Sequence, residues 1–181
     1  YSKLNGLRKP ELMSLNKFSL TDYREFESIV ANYNELRAEA EEINAQLSSE
    51  YKDAYFQIVQ HPIQAVSNLY EIYSTLAKNK MYAGQGRAST NEMADLLKEY
   101  YIKDSLLSHY YNHELKQGKW NHMMDQAHIS YTSWRPPEVD KMPKYSRLEL
   151  KDAASMGVAI EGSVACWPDE TQEAVLPTFN S

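Results

Sequence analysis

The sequence predicts an all-α protein: an antiparallel bundle of long helices, followed by an irregular aromatic-rich loop and a short extended C-terminal segment. Apolar side chains recur every three or four residues through most of 19–117, which is typical of helices that bury one face. This period stops at Gly118, beyond which Trp, His and Pro are concentrated. Helices of roughly 20–28 residues would be about 30–40 Å long. Short connections between them favour antiparallel neighbours.

The first long helix is predicted to begin near Ser19. Ser19 to Asp22 supply hydroxyl and carboxylate oxygens, which can accept hydrogen bonds from the free N–H groups of a helix start. Its predicted apolar face consists of Tyr23, Phe26, Ile29, Val30, Tyr33, Leu36, Ala40, Ile43 and Leu47. The preceding residues 1–18 lack helical period and are predicted to be a linker.

The second helical segment is predicted to start at Ser48 and Ser49, which interrupt the first run. An interior proline lacks an N–H donor and clashes with the preceding turn, so a break or a kink is expected at His61-Pro62. Periodicity then resumes and ends at Gly84.

A third long helix is predicted after Ser89-Thr90-Asn91-Glu92, which has the form of a capping box. Gly118 is expected to end it in the left-handed conformation. Asp104 falls on the apolar stripe of this helix. Asp104 lies either at the solvent-exposed edge of this apolar face or in the core, as a buried acid paired with an Arg or a Tyr.

Composition excludes several classes of partner. The net charge is -6 and no basic stretch could neutralise a row of phosphates, so no nucleic-acid partner is predicted. No apolar run approaches the roughly 20 residues that span a bilayer, so no membrane partner is predicted. The 14 Tyr against 4 Phe suit wet interfaces and half-buried helix seams, although sugars also stack on such rings.

No residue of the chain is nominated as catalytic. No serine lies in a nucleophile elbow, Cys166 has no recognisable base, and the few glycines do not form a phosphate loop. No cofactor is predicted. His109 and His113 have the spacing of a helical metal chelate, but the Glu of a zincin motif is absent. Surface or hydrogen-bonding roles are therefore favoured, and no metal site is predicted.

The best functional candidate is the segment 119–137, called here the signature loop. It interleaves aromatic rings with amide, imidazole and carboxylate groups, the mixture that a sugar pocket uses. The alternative is that the loop only fixes an interface between domains.

The signature loop resembles a signature of family 115 of the glycoside hydrolases, the xylan α-1,2-glucuronidases: K-W-N-H-M-M-D-Q-T-H-I-G-Y-T-x-W-Q-Q-P. Ala127 and Ser130 stand where that signature has Thr and Gly, and Arg135-Pro136 replaces its Gln pair. Further segments agree in order: 5–12, 82–89, 156–163 and 176–179. The resemblance therefore covers nearly the whole chain.

The resemblance implies a fragment of a larger enzyme with an N-terminal domain, a catalytic TIM-like barrel, this helical domain and a C-terminal β-sandwich. Residues 1–18 would be a linker from the missing catalytic domain, and 19–145 the helical bundle that includes the signature loop. Residues 146–181 would connect to the missing β-sandwich. The parent would be secreted or periplasmic, would act on glucuronoxylan and could form a homodimer. The isolated chain is expected to be inactive.

Within that frame, aromatic rings would stack on sugars, polar groups would bind hydroxyls, and Arg87 would hold a uronate carboxylate in bidentate fashion. The residues predicted to bind substrate are Trp120, Asn121, His122, Gln126, His128, Tyr131, Trp134 and Arg87. Two other hypotheses stay open. One is a free-standing helical protein-interaction or scaffold domain, and the other is a His-rich metal-binding bundle.

Overall fold

The chain folds around long antiparallel helices, as the sequence predicts. The computed structural model describes residues 12–131, 135, 137–150, 152, 156–160, 163 and 165–168. Its α-helices are α1 (Glu25–Gln46), α2 (Ser49–Tyr55), α3 (His61–Gly84) and α4 (Thr90–His109). Within these residues the strands are the antiparallel pair β1 (Val158–Ala159) and β2 (Cys166–Trp167). None of the described helices is both long and apolar enough to cross a membrane.

Helix α3 is the centre of the fold, because it packs against α1 on one side and α4 on the other. Its Glu71 side chain connects all three helices. One carboxylate oxygen lies 3.4 Å from Nη1 of Arg37 on α1, and the other lies 3.3 Å from Nζ of Lys103 on α4. Phe26, Ile72 and Leu97 are fully buried around these seams. Burial of side chains of this size stabilises a fold by about 1.5–3 kcal/mol each.

Ser19 supplies a hydroxyl acceptor before the first helix, as predicted, although Thr21 and Arg24, the N-cap residues of the first turn and of α1, make no side-chain cap hydrogen bond. Oγ of Ser19 accepts the N–H of Asp22 at 2.8 Å, and the N–H of Ser19 donates to Glu25 at 3.0 Å. A 3₁₀ turn (Asp22–Arg24) then leads into α1. The predicted interruption also occurs at Leu47 and Ser48, where the backbone is extended between α1 and α2.

The chain does not break at Pro62. A π-helical turn (Phe56–Gln60) lies between α2 and α3 and keeps the backbone helical. The N–H of His61 donates to the carbonyl of Phe56, five residues back. Pro62, which has no N–H to donate, therefore lies directly after a widened turn, in the first positions of α3.

The end of the last helix is more elaborate than expected. Helix α4 ends at His109, and a second π turn (Tyr110–Glu114) and a 3₁₀ turn (Leu115–Gly118) follow. Gly118 has the expected left-handed conformation, with φ of 76°. A Cβ there would lie 3.2 Å from the carbonyl oxygen of His113. The capping-box prediction for α4 is wrong, because the Ser89 side chain makes no cap hydrogen bond.

Several residues predicted to be on the inner face of the helices are exposed. Tyr23 is 100% exposed and has φ of 55°, while Leu36 and Ile43 on α1 are about half exposed. Helix α1 packs chiefly on one neighbour, α3, so it buries a narrower stripe than a helix in a closed bundle.

The packed unit extends beyond the predicted boundaries at residues 18 and 145. Met13 and Phe18 are 3% exposed and belong to the main apolar core. On the C-terminal side, residues 146–148 lie along α3 and α4. Asn79 exchanges hydrogen bonds with both backbone groups of Ser146, as Asn91 does with Leu148. The predicted linker also includes residues 1–11, and the predicted C-terminal connection also includes residues 169–181. Both of these ranges lie outside the described residues.

The buried amide of Asn79 yields a stability prediction. It donates to Thr90 and Ser146 and accepts from Ser146, and its side chain is fully buried. Asn79→Ala should lower the free energy of unfolding by about 2–4 kcal/mol, because buried backbone groups lose their partners. Asn91→Ala, at a half-buried position, should cost about 1 kcal/mol. Urea denaturation of both variants checks this, and equal losses would contradict the argument.

Candidate functional site

The signature loop lies beside the start of α3 and the end of α4. Through 119–131 it is a series of turns with alternating burial: Ala127, Ile129 and Tyr131 are at most 7% exposed. Ile129 is part of the main core. The side chains of Asn121 and His122 face solvent. The loop is therefore tied down by its apolar residues and presents polar groups outward.

Asn112, in the second π turn, holds the first half of the loop. Its side chain is 4% exposed. Its oxygen accepts the N–H of Met124 at 2.8 Å, and its amide donates to Asp125 at 2.8 Å. The other oxygen of Asp125 lies 2.6 Å from Nδ1 of His122. One buried amide thus fixes the turn that presents His122.

Asp140 holds the second half of the loop. One of its carboxylate oxygens accepts the backbone N–H groups of both His128 and Ile129 at 2.6 Å. Its own carbonyl accepts the hydroxyl of Tyr101 on α4 at 3.0 Å. Asp140 therefore connects the loop to α4.

An ion pair between His128 and Asp104 links the loop to the helical core. Nε2 of His128 lies 2.8 Å from Oδ2 of Asp104, whose side chain is 6% exposed. Nδ1 lies 3.1 Å from the carbonyl of Gln126 and 3.6 Å from Oδ2 of Asp140. The amide of Asn68 lies 3.5 Å from the other oxygen of Asp104. Asp104 is thus a buried acid, and its partner is a His.

The environment of His128 favours the protonated ring. Burial lowers the pKa of His128, but the hydrogen bond and charge of Asp104, the Gln126 carbonyl and Asp140 together raise it to about 9. At neutral pH both ring N–H groups therefore donate, Nε2 to Asp104 and Nδ1 to Gln126. His128 acts as a cationic bridge inside the loop.

His61, at the start of α3, has the opposite tendency. Burial lowers its pKa, and the nearby positive charge of His128 acts in the same direction against the attraction of Asp104. Its ring centroid lies 4.6 Å from that of Tyr111 and 5.9 Å from that of Phe56. His61 is therefore an aromatic, neutral imidazole at neutral pH.

Asp104, His128 and Asp140 offer ligand atoms within 4.8 Å of one another, which raises the question of a metal site. The geometry argues against one. Asp104 faces Nε2 and Asp140 faces Nδ1, at opposite ends of the imidazole ring, so one ion could not contact both carboxylates and the ring between them. The donor set fits a protonated imidazole between two carboxylates.

His109 and His113, the other metal candidates, lie on the solvent side of the helix with ring centroids 4.7 Å apart. Glu114 lies 3.9 Å from Nε2 of His109. These exposed contacts are those of surface side chains, which is the role that the sequence favours.

A groove of about 390 Å³ opens between α3, α4 and the loop. This volume lies in the range of small-molecule sites. Its walls include Val66, Leu69, Asp104, Ser108, Met124, Gln126 and His128. Sequence reasoning found only Gln126 and His128 among these. The signal for Asp104 was an acid on an apolar stripe, but nothing in the sequence indicated that the loop would cover it.

The other predicted substrate-binding residues of the loop are placed differently. Trp120 is half-buried against Phe56, Tyr111 and Leu115, and the Lys119 ammonium lies 4.8 Å from the centroid of its ring. Tyr131 is 4% exposed, and its hydroxyl accepts the Gln126 amide at 3.3 Å. Trp120 and Tyr131 thus belong to the support of the loop rather than to its open surface.

The remaining two residues that were predicted to bind substrate are Arg87 and Trp134. Arg87 lies between α3 and α4 at the opposite end of α4, roughly 25 Å from Asp104 at 1.5 Å per residue, and its guanidinium lies over the Tyr82 ring at 4.6 Å. It does not share a site with His128. Trp134 lies outside the described residues.

No protein-family model matches this sequence, and no curated protein matches it.

The ion pair of His128 makes fold stability depend on pH. Its pKa is 6.5 for a free ring and about 9 in the fold, so its stabilisation is fully present below about pH 6.5 and is lost as pH rises through about 9. From about pH 7 to about pH 9.5, the free energy of unfolding should fall by up to about 2 kcal/mol. Urea denaturation across this range checks it.

His128→Gln should flatten that pH dependence, whereas His113→Gln, at an exposed position, should leave it unchanged. Below this range, protonation of His61 in the unfolded chain acts in the opposite direction, because its pKa is lowered in the fold. Above it, Tyr73 and Tyr101, whose pKa values burial raises, favour the ionised unfolded chain. An unchanged slope in His128→Gln would contradict the assignment.

Proposed function

We propose that this chain is the non-catalytic helical domain of a secreted α-glucuronidase-like glycoside hydrolase that acts on glucuronoxylan. In this proposal it packs against a catalytic barrel and a β-sandwich, takes part in homodimer formation and supplies part of the substrate-site rim. The likeness of the signature loop to the family 115 signature carries the proposal. Its motif of 19 positions is much more specific than a short pattern.

The backbone at one departure from the signature supports this likeness. Ser130 has φ of 67°, a conformation that L side chains rarely adopt and that favours glycine. The family signature has Gly at this position. Ser130 compensates with two contacts: its N–H donates to the Tyr73 hydroxyl at 3.1 Å, and its hydroxyl donates to the Lys141 carbonyl at 2.9 Å. The loop therefore has the turn that the signature glycine would allow.

The buried acids support a non-catalytic role. A glycosidase general acid needs a carboxyl group that holds a proton near neutral pH and can reach the scissile bond. Among the described residues, the buried acids are Glu71 and Asp104. Glu71 lies between Arg37 and Lys103, and Asp104 is paired with His128. Both are held by cations and lie inside the helical layer, so catalytic carboxylates would come from the barrel.

The exposed polar part of the loop suits a substrate rim. Asn121, His122 and Gln126 face solvent, while Asn112 and Asp140 fix the backbone that carries them. Groups held in this way lose little conformational freedom when they bind a sugar hydroxyl. This is the function that the geometry of the described residues supports best.

Kinetics of the parent enzyme test the proposal. His122→Ala and Gln126→Ala should each lower kcat/KM on glucuronoxylan by about tenfold, equivalent to about 1.4 kcal/mol of lost transition-state stabilisation. His113→Ala, which removes an exposed His elsewhere, should stay within about twofold. The isolated chain should show no turnover. If both loop variants keep full activity while folding normally, the loop is a structural clamp and the rim proposal is wrong.

An exposed apolar stripe along α4 and the start of the π turn after it favours a second function, a free-standing protein-interaction or scaffold domain. Ile102, Leu106 and Tyr110 are spaced four residues apart and are 56%, 62% and 37% exposed. Such spacing presents one face to a partner. The parent gene discriminates between the two functions. A preceding barrel-sized coding region supports the enzyme, whereas a start near Tyr1 and a stop soon after Ser181 support the scaffold.

A further inference from the structure

We infer that the groove between α3, α4 and the signature loop binds uncharged, hydroxyl-bearing sugar units and excludes uronate. Naming those units as the xylose residues of a xylan backbone rests on the proposed function. The preference for a neutral polyol over an anion rests on the groove itself, through its apolar walls, its hydrogen-bonding groups and its charge.

The groove has an apolar wall and a polar end. Ala65, Val66 and Leu69 from α3 face Leu107 from α4, and Met123 and Met124 from the loop complete the apolar surface. Methionine side chains adapt to irregular ligand shapes. The volume of about 390 Å³ accommodates a small oligosaccharide segment rather than a single solvent-sized molecule. Apolar walls of this kind suit the C–H faces of a sugar ring.

The polar end can exchange hydrogen bonds with hydroxyl groups. Asp104 and Ser108 are one helical turn apart on α4 and both line the groove, where they are joined by Gln126. Among the described residues, each oxygen of Asp104 has one hydrogen-bond partner, His128 for one and Asn68 for the other. A carboxylate oxygen has two acceptor positions, so the pair retains capacity for ligand hydroxyls. Ser108 and Gln126 add donors as well as acceptors.

The charge around this end disfavours an anion. His128 is a single cation between two carboxylates, Asp104 and Asp140, so the local sum is negative. His61 is neutral at neutral pH, and no Lys or Arg is among the described residues that line the groove. His128 already donates its two ring N–H groups to Asp104 and to the Gln126 carbonyl, so a uronate carboxylate would approach Asp104 without a free cation, and the cost of its desolvation would not be offset.

A cationic ligand is disfavoured for a different reason. His128 already neutralises Asp104, which lies at the buried end. The second carboxylate, Asp140, accepts two backbone N–H groups of the loop and is not among the described residues that line the groove, whose remaining walls are mostly apolar. An ammonium group placed there would lose water and gain only a carboxylate that already has its cation. A neutral polyol makes the hydrogen bonds without moving a charge out of water.

Binding to the intact chain tests the inference. Isothermal titration and ¹H–¹⁵N NMR shifts would be recorded with xylotriose, cellotriose, glucuronate and choline as separate probes. Xylotriose is expected to bind and to shift the backbone signals of Ser108 and Gln126. Glucuronate and choline are expected to bind at least tenfold more weakly. Glucuronate binding equal to or tighter than xylotriose would overturn the charge argument.

Two variants with matched controls assign any binding to the groove. Ser108→Ala should weaken xylotriose binding about threefold to tenfold, whereas Ser105→Ala, on the exposed side of the same helix, should not. Ala65→Trp should fill the groove and abolish binding, whereas Ala38→Trp, exposed on α1, should not. Binding that survives in both groove variants, or no binding of either neutral sugar to the folded chain, would overturn the inference.

The outcomes separate this inference from the proposed function. The rim proposal fails if parent kinetics do not respond to His122 and Gln126, and the groove can still bind a neutral sugar in that case. If cellotriose binds and xylotriose does not, the neutral-polyol inference stands and the xylan assignment fails. If parent kinetics respond while the groove binds no sugar, the groove inference alone is wrong.

Discussion

The site depends on one buried ion pair, that between Asp104 and His128. A carboxylate on a side chain only 6% exposed, on a helix facing the core, would be costly without a partner. His128 meets that need from 24 positions further along the chain, and the pairing places the loop over the end of α4. Removing one member of such a pair typically costs about 3–5 kcal/mol, because the other charge stays buried. The loop therefore both covers the end of α4 and supplies a charged partner to the buried Asp104.

A second buried carboxylate paired with cations lies at the centre of the helical layer. Glu71 on α3 joins Arg37 of α1 to Lys103 of α4, so two buried acids set the lateral order of the helices and the position of the loop. Lys103 and Asp104 are adjacent on α4 and Glu71 and Asn68 are one turn apart on α3. The helix interface and the loop anchor therefore share one stretch of the α3–α4 seam.

Sequence periodicity predicted the helices because that signal is local. Periodicity assigned Leu36 and Ile43 to the inner face of α1, but both are exposed. The width of the buried face depends on how many helices pack against α1, and a local pattern does not contain that information. A break or a kink was expected at Pro62, and the chain instead stays helical through a π turn just before it, because the flanking helices can continue through a widened turn. For the candidate site, residue chemistry pointed to Gln126 and His128, which line the groove, and also to Arg87, which the structure places away from it. The pairing of Asp104 with His128 arises from loop geometry, which no period encodes.

Protonation limits what His128 can do. As an imidazolium with both N–H groups donated to Asp104 and the Gln126 carbonyl, it has no lone pair with which to accept a proton. It also holds its proton too firmly for efficient acid catalysis near neutral pH, with a pKa of about 9. Its contribution is therefore to position other groups: the carboxylate of Asp104 at the groove and the backbone that presents Gln126. Recognition then falls to those two side chains and to Ser108, and their chemistry decides which ligand the groove accepts.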